Sequence, residues 1–334
     1  MSVLLRRAAA LLVCLTAVLV LGAPTLSTGS GPAFAADMRH TSPATEKVDD
    51  EPAFRLRFGD HSIRSSVMTV SVMPGESIPL TVANASELSV RVGPGGGEAV
   101  PGLGGQWLFR APDAPGTTTV TVRSPGPDAT IRLQVFVLQP WDHRGTSIDG
   151  YRIGRYQPRA RRGLTSYERP RGFVRVTERN RDLRVSPNFR LSQFLCKQGG
   201  PGPEFALIDT ELIQALEAIL AALRERGHSA PTLHVMSGFR TPFYNRSIGN
   251  TTVYSRHLYG DAADIFVDAD NDGWMDDLTG DGRVTEADAR YLARVIQSTL
   301  GEDGTFRGGL GTYGPASHRG PFVHLDFRGY PARW

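Results

Sequence analysis

A histidine and an aspartate seven residues apart, His257 and Asp264, flank Gly260 and lead into the apolar run Ile265-Phe266-Val267. Imidazole nitrogens and carboxylate oxygens are ligands that Zn²⁺ accepts. A second histidine, His324, stands in Phe322-Val323-His324-Leu325-Asp326-Phe327. Read as a strand, this segment puts His324 and Asp326 on one face and Val323, Leu325 and Phe327 on the other. The same alternation sets Asp264 opposite Ala263 and Ile265. Two strands, each with an apolar side and a polar side, would carry the groups to one face of a sheet. The expectation is a zinc site made by His257, Asp264 and His324, with its fourth position open to water.

The pattern Ser255-x-His257-x-x-Gly260-x-Ala262-x-Asp264, followed by Val323-His324-Leu325-Asp326, resembles the zinc D-Ala-D-Ala carboxypeptidases and their murein endopeptidase relatives. The resemblance extends to Ser237-Gly238-Phe239-Arg240-Thr241-Pro242, to Asn245, and to the ending Arg328-Gly329-Tyr330-Pro331-Ala332-Arg333-Trp334. It covers 188–334 and implies an α+β, hedgehog-like DD-peptidase fold: an antiparallel sheet with helices. The implied activity is hydrolysis of peptidoglycan stem or cross-link peptides by metal-activated water. Arg240 stands where the resemblance places a substrate-binding arginine, and a guanidinium fork suits a carboxylate. The alternative role is a structural pairing with one of the acids. Many relatives carry an acid three residues before the last zinc histidine, where this chain has Pro321. His318 and Asp326 are the available substitutes for that catalytic base: His318 is the expected acid–base group, and Asp326, which shares a strand face with His324, is expected to orient a ligand imidazole.

A second cation signal occupies 268–288. Asp268, Asp270 and Asp272 alternate ahead of Gly273, as in the first half of an EF-hand loop. Asp277, Thr279, Asp281, Arg283 (through its carbonyl) and Asp288 then fill a complete twelve-residue register. This second loop resembles dockerin calcium loops, with Asp288 in place of the usual glutamate. Structural Ca²⁺ is expected, because so many acids repel one another without a cation; a solvated acidic loop is the alternative.

The elements that must position these groups follow from periodicity. A helix is expected over 210–226, with Leu212, Leu216, Ile219, Leu220 and Leu223 as its apolar stripe, Asp209 or Thr210 as cap and Gly227 as its end. A strand over 232–236 carries His234, read as structural. A helix over 286–300 starts from Thr285, with Asp288 three residues on. Upstream, 54–140 shows short alternating runs at 67–72, 77–82, 88–92, 107–110, 118–122 and 130–138, separated by Pro/Gly turns. They suggest a small antiparallel, all-β sandwich of immunoglobulin-like type, serving as a spacer or wall-docking module. Between the two regions, 141–187 is rich in arginine and interleaved with Tyr151, Tyr156, Tyr167 and Phe173. It suits either a linker clamped by ion pairs or contact with anionic wall polymers.

The 334-residue chain allows one large domain or two ordinary ones. Residues 1–36 have the layout of a secretory signal peptide: Arg6 and Arg7, an apolar run, and Ala33-Phe34-Ala35 before the expected cleavage. Residues 37–53 form a polar leader, expected to be disordered. Export to periplasm, wall or exterior follows, with no transmembrane span after signal removal. A net charge of +3 gives no case for a nucleic-acid partner. Cys14 lies in the signal, so Cys196 would remain alone and unable to form an internal disulfide. Two other classes stay open: a wall-binding scaffold that keeps the metals without cutting, and a calcium-dependent adhesion module.

Overall fold

The computed structural model describes residues 54–83, 88–125, 129–200, 202–301 and 305–334. The signal peptide and polar leader expected over 1–53 lie outside the described residues. Strand β1 (Arg55–Phe58) buries Leu56 and Phe58 and exposes Arg55 and Arg57, the alternation of a half-buried strand. The same logic produces β2 (His61–Ile63), β3 (Val67–Val72), β4 (Ser77–Ala83), β5 (Ser89–Val92), β6 (Glu98–Pro101), β7 (Trp107–Arg110), β8 (Gly116–Arg123) and β9 (Thr130–Val137). They form two sheets, ordered β2-β1-β4-β7-β6 and β3-β9-β8-β5. Phe58, Phe109, Met68, Val120 and Leu133 are among the buried residues of these sheets. One expectation is corrected here. β3 pairs parallel to β9, so the second sheet is mixed rather than antiparallel throughout.

The arginine-rich stretch does not run as a solvated linker. It contains β10 (Gln139–Pro140), β11 (Ser147–Ile148), β12 (Tyr151–Arg152) and β13 (Gly172–Val176), and β13 pairs with β14 (Glu204–Ala206). Tyr151, Tyr156, Tyr167 and Phe173 are all buried, so the aromatics expected at a polyanion-binding surface belong to the core. The Tyr156 hydroxyl donates to the Leu258 carbonyl at 2.6 Å, and the Phe243 amide donates to the Ile153 carbonyl at 2.9 Å. The stretch thus braces the turn that carries His257 and the helix start at Phe243.

Helix α1 (Thr210–Glu225) buries the expected leucine stripe, and Asp209 caps it by accepting from the Leu212 amide at 2.9 Å. The helix reaches the β3 sheet as well: Thr210 Oγ1 donates to the Thr69 carbonyl at 3.0 Å. Beyond it come β15 (Leu233–Ser237), α2 (Pro242–Ser247), β16 (Ala262–Val267), α3 (Glu286–Gly301), β17 (Gly309–Tyr313), β18 (Phe322–Asp326) and β19 (Ala332–Arg333). The sheet runs β15-β16-β18-β17-β19, antiparallel except where β19 joins β17. α3 packs against α1 and against β17 and β18. The whole is α+β, with mostly antiparallel sheets and few helices. Among the described residues no helix is long and apolar enough to cross a membrane.

β16 and β18 are buried along their whole lengths, and their register sets Asp264 directly opposite His324. The turn into β16 depends on Gly260, whose φ is +78° and whose added Cβ would lie 2.6 Å from Leu207 Cβ and 2.7 Å from its carbonyl carbon. Left-handed backbone alone costs a residue with a Cβ about 1–2 kcal/mol, before any overlap. Gly260→Ala should therefore lower the unfolding free energy by at least that amount in urea denaturation. A loss under about 0.5 kcal/mol would show that the turn relaxes freely.

Candidate metal centre

Three side chains from separate elements converge. His257 comes from the 3₁₀ turn Arg256–Tyr259, Asp264 from the middle of β16 and His324 from the middle of β18. One donor atom from each lies within 4.8 Å of the other two, and all three residues are buried. Asp264 Oδ1 is 2.8 Å from His324 Nδ1 and 3.3 Å from His257 Nε2. The far nitrogens are committed elsewhere. His257 Nδ1 is 2.7 Å from the Gly238 carbonyl, and His324 Nε2 is 2.9 Å from Asp326 Oδ2. Those outer bonds fix each ring so that its remaining nitrogen faces Asp264, the arrangement metal-binding histidines use. Two imidazoles and a carboxylate facing one point fit Zn²⁺.

The electrostatics favour the metal-binding forms of His257 and Asp264, whereas His324 must give up a proton to bind a metal. Burial holds the His257 imidazole below its ordinary value, with Asp264 pulling the other way, so the neutral, metal-binding form is favoured. Burial also disfavours a charged Asp264, but His257 and His324 outweigh it and keep the carboxyl well below its usual range. For His324, burial is outweighed by hydrogen bonds to Asp264 and Asp326, which lift it to about 9.

Asp326 is fully buried and belongs to the layer behind the ligands. It accepts from Arg328 Nε at 2.8 Å and from the Gly309 amide at 3.0 Å, and it pairs with Arg328 Nη2 as well. Its Oδ2, 2.9 Å from His324 Nε2, holds that ring from behind. Arg328 was legible only as part of the ending that carries the resemblance; its grip on Asp326 needed the fold. Gly238, whose carbonyl holds His257, could not be singled out from its side chain.

Arg240 takes the structural alternative in this structure. Its Nη2 is 2.6 Å from Asp264 Oδ2 and its Nε is 2.7 Å from Ser237 Oγ. Nη1 carries neither bond, so one edge of the fork stays uncommitted. His318 lies exposed in the turn between β17 and β18, and among the described residues no hydrogen bond or ion pair ties it to the three ligands. Cys196 is a buried free thiol.

The acidic loop is arranged differently from its expected register. Asp268, Asp270 and Asp276 offer oxygens within 4.8 Å of one another. Asp276 stands at position nine of the first loop, an EF-hand ligand position that the alternation at 268, 270 and 272 does not reach. Asp272 lies outside that group and accepts from the Trp274 amide at 2.8 Å, while Asp268 accepts from the Asp272 and Gly273 amides. In the second loop, Asp277 accepts from the Gly280 and Gly282 amides, and Asp281 from the Arg283 amide. Thr279 Oγ1 lies 3.2 Å from Asp277 Oδ1. Asp288 takes the Leu278 and Thr279 amides on one oxygen and the Thr285 amide on the other. That last bond is the carboxylate half of the cap expected at the start of α3. His234 stacks on Phe266 with ring centroids 4.3 Å apart and lies 3.3 Å from Asp268, a structural role as expected.

A Peptidase M15 family model matches residues 187–291. This is the zinc D-Ala-D-Ala carboxypeptidase family that the motifs around His257 and Asp264 resemble. The matched span takes in Arg240, His257, Asp264 and the acidic loop through Asp288, and ends before β17. His324 thus joins the site from beyond it, by strand pairing. No curated protein matches the chain.

Outer-layer partners of metal-binding histidines are worth about 10–100-fold in metal affinity. Asp326→Asn, checked for folding by circular dichroism, should weaken zinc binding by that factor in a competition titration with a chromophoric chelator. Unchanged affinity would mean that His324 needs no support from behind.

Proposed function

We propose that the chain is an exported, zinc-dependent peptidase of cell-wall remodelling that hydrolyses stem or cross-link peptides of peptidoglycan, in the manner of D-Ala-D-Ala carboxypeptidases. The observation that carries this reading is the convergence of His257, Asp264 and His324 on one point, within a region that matches a peptidase family. The chemistry zinc supplies when bound is Lewis acidity and a water whose pKa falls toward about 7. The rest falls to the chain. Gly238 and Asp326 hold the two imidazoles at fixed angles. Arg240 steadies Asp264 with one edge of its fork and can offer Nη1 to a substrate carboxylate or carbonyl oxygen. His318 is the acid–base group of this proposal; from its exposed turn it would approach only with substrate in place.

Purified protein incubated with peptidoglycan should release D-alanine or cleaved stem peptide. Chelation and His257→Ala should each abolish the release, and His318→Ala should slow it by about 10²–10⁴-fold, the usual contribution of acid–base catalysis. A second reading, a metal-containing scaffold that binds wall without cutting, is favoured by two observations: among the described residues no hydrogen bond or ion pair ties His318 to the ligands, and Pro321 stands where many relatives carry an acid. Stoichiometric zinc, retention on intact wall and no new amines would establish the scaffold instead.

We also read 268–288 as a structural calcium site nucleated by Asp268, Asp270 and Asp276. Calcium at 100 times its dissociation constant should add about 2.7 kcal/mol of stability. A rise in melting temperature with calcium, lost in Asp268→Ala, checks this; an unchanged melting curve contradicts it. Exposed arginines of 141–187, such as Arg155, Arg159 and Arg179, complete the proposal as contacts for anionic wall polymers.

A further inference from the structure

The row of residues that crosses the sheet at the metal centre does not end at the ligands. The sheet runs β15-β16-β18-β17, and Asp264 on β16 stands opposite His324 on β18, which in turn stands opposite Gly311 on β17. Directly opposed residues share a face, so the row ends at a position with no side chain. Trp334, just past β19, fills that place. Its backbone extends the pairing of β19 with β17: the Trp334 amide donates to the Leu310 carbonyl at 3.3 Å, and the Thr312 amide to the Trp334 carbonyl at 3.0 Å. A Cβ added at Gly311 would fall on the indole, so glycine is what lets the ring lie there.

The ring is held from several sides and is still open. Its centroid lies 5.5 Å from that of the His324 imidazole. Its Nε1–H donates to the Tyr313 hydroxyl at 2.7 Å, and the Arg328 guanidinium carbon is 4.8 Å from its centroid. Tyr313 is itself fixed by stacking on Phe322, with centroids 4.5 Å apart and planes within 3° of parallel. Even so, Trp334 is 48% exposed. An indole anchored through its N–H, with much of its surface open beside a metal ligand, is a preorganised apolar contact that loses little rotamer freedom when covered. The metal centre thus has two unlike flanks. On the β15 side Arg240 bonds Asp264 and leaves Nη1 uncommitted; on the β17 side lies Trp334. Neighbouring strands about 4.8 Å apart put Asp264 and Gly311 about 10 Å from each other, the span of about three residues of extended chain.

We propose that Trp334 is a specificity-determining residue for the acyl side of the scissile bond, giving the site a preference for peptides with an apolar side chain at the third residue from their C-terminus. The peptide crosses the strands with its terminal carboxylate at Arg240 Nη1, its last peptide bond over the three ligands and that third residue against the indole. The proposal rests on the peptidase reading for the bond that is cut; the contact itself is a binding property and stands without turnover.

The test uses the zinc-loaded full chain and two peptides, N-acetyl-leucyl-D-alanyl-D-alanine and its glycyl counterpart. Partial cover of a leucine side chain should favour the leucyl peptide about tenfold in kcat/KM. Trp334→Ala should bring the two peptides to within about twofold of each other, and Trp334→Phe, which keeps a ring, should retain part of the preference. Gly311→Ala, which displaces the indole without removing it, should reduce the preference as well. Zinc affinity, read by chelator competition, shows whether each variant keeps its metal centre. A preference unchanged in Trp334→Ala and Gly311→Ala overturns the proposal. So does an equal loss for both peptides that tracks lost zinc, the mark of a ring that does no more than shelter His324. The products N-acetyl-leucyl-D-alanine and N-acetyl-glycyl-D-alanine, titrated by calorimetry, read the same contact without turnover. If the protein cuts neither peptide, the peptidase reading fails, while a leucyl product bound about tenfold more tightly and levelled in Trp334→Ala upholds the contact. Equal affinities for the two products overturn it.

Discussion

The pairing of Asp264 with His324 across two neighbouring antiparallel strands is the constraint on which the site depends. A one-residue slip in that register would turn either group to the opposite face and leave a carboxylate or an imidazole among packed apolar side chains. Burial of both strands along their lengths makes such a slip expensive. Register is therefore secured by the core, and the polar pair comes with it. His257 is brought to the same point from a turn, not a strand, which is why the conformation at Gly260 matters.

Behind the three ligands stands a layer whose members do no chemistry themselves. The Gly238 carbonyl and the Asp326 carboxylate each take one nitrogen of a ligand imidazole, and Arg328 and the Gly309 amide hold Asp326 in turn. Asp326 is buried, yet the guanidinium beside it and the bonded His324 keep it ionised, far below the usual carboxylate range. A charge so enclosed is tolerable only because its oxygens are all engaged. The stretch over 141–187 adds a further brace through Tyr156 and Ile153. The peptide segments flanking the site are thus held from two directions.

Much of this was legible in the sequence, and the limits have physical causes. His257, Asp264 and His324 could be read because ligand type, spacing and strand alternation all pointed the same way. Helix α1 was equally plain, with its leucine stripe between Asp209 and Gly227. β1, β2 and β6 were missed: each is only three or four residues long, and β1's alternation of two arginines with Leu56 and Phe58 spans too few residues to stand out. Arginine density made 141–187 look solvated, whereas its tyrosines and Phe173 pack inside while the guanidiniums reach outward. The acidic loop shows a related limit: spacing counts carboxylates but does not say which of them the fold gathers, as it gathers Asp268, Asp270 and Asp276. Arg240 shows the same limit, since a guanidinium near several acids can be assigned a partner only once the chain is folded.

Anomalous X-ray diffraction from zinc-soaked crystals, collected on both sides of the zinc absorption edge, addresses the central claim most directly. One strong peak is expected, within bonding distance of His257 Nε2, Asp264 and His324 Nδ1, with Asp326 outside the coordination shell and still bonded to His324 Nε2. A peak held by Asp326 in place of Asp264, or no peak between β16 and β18, would contradict the account.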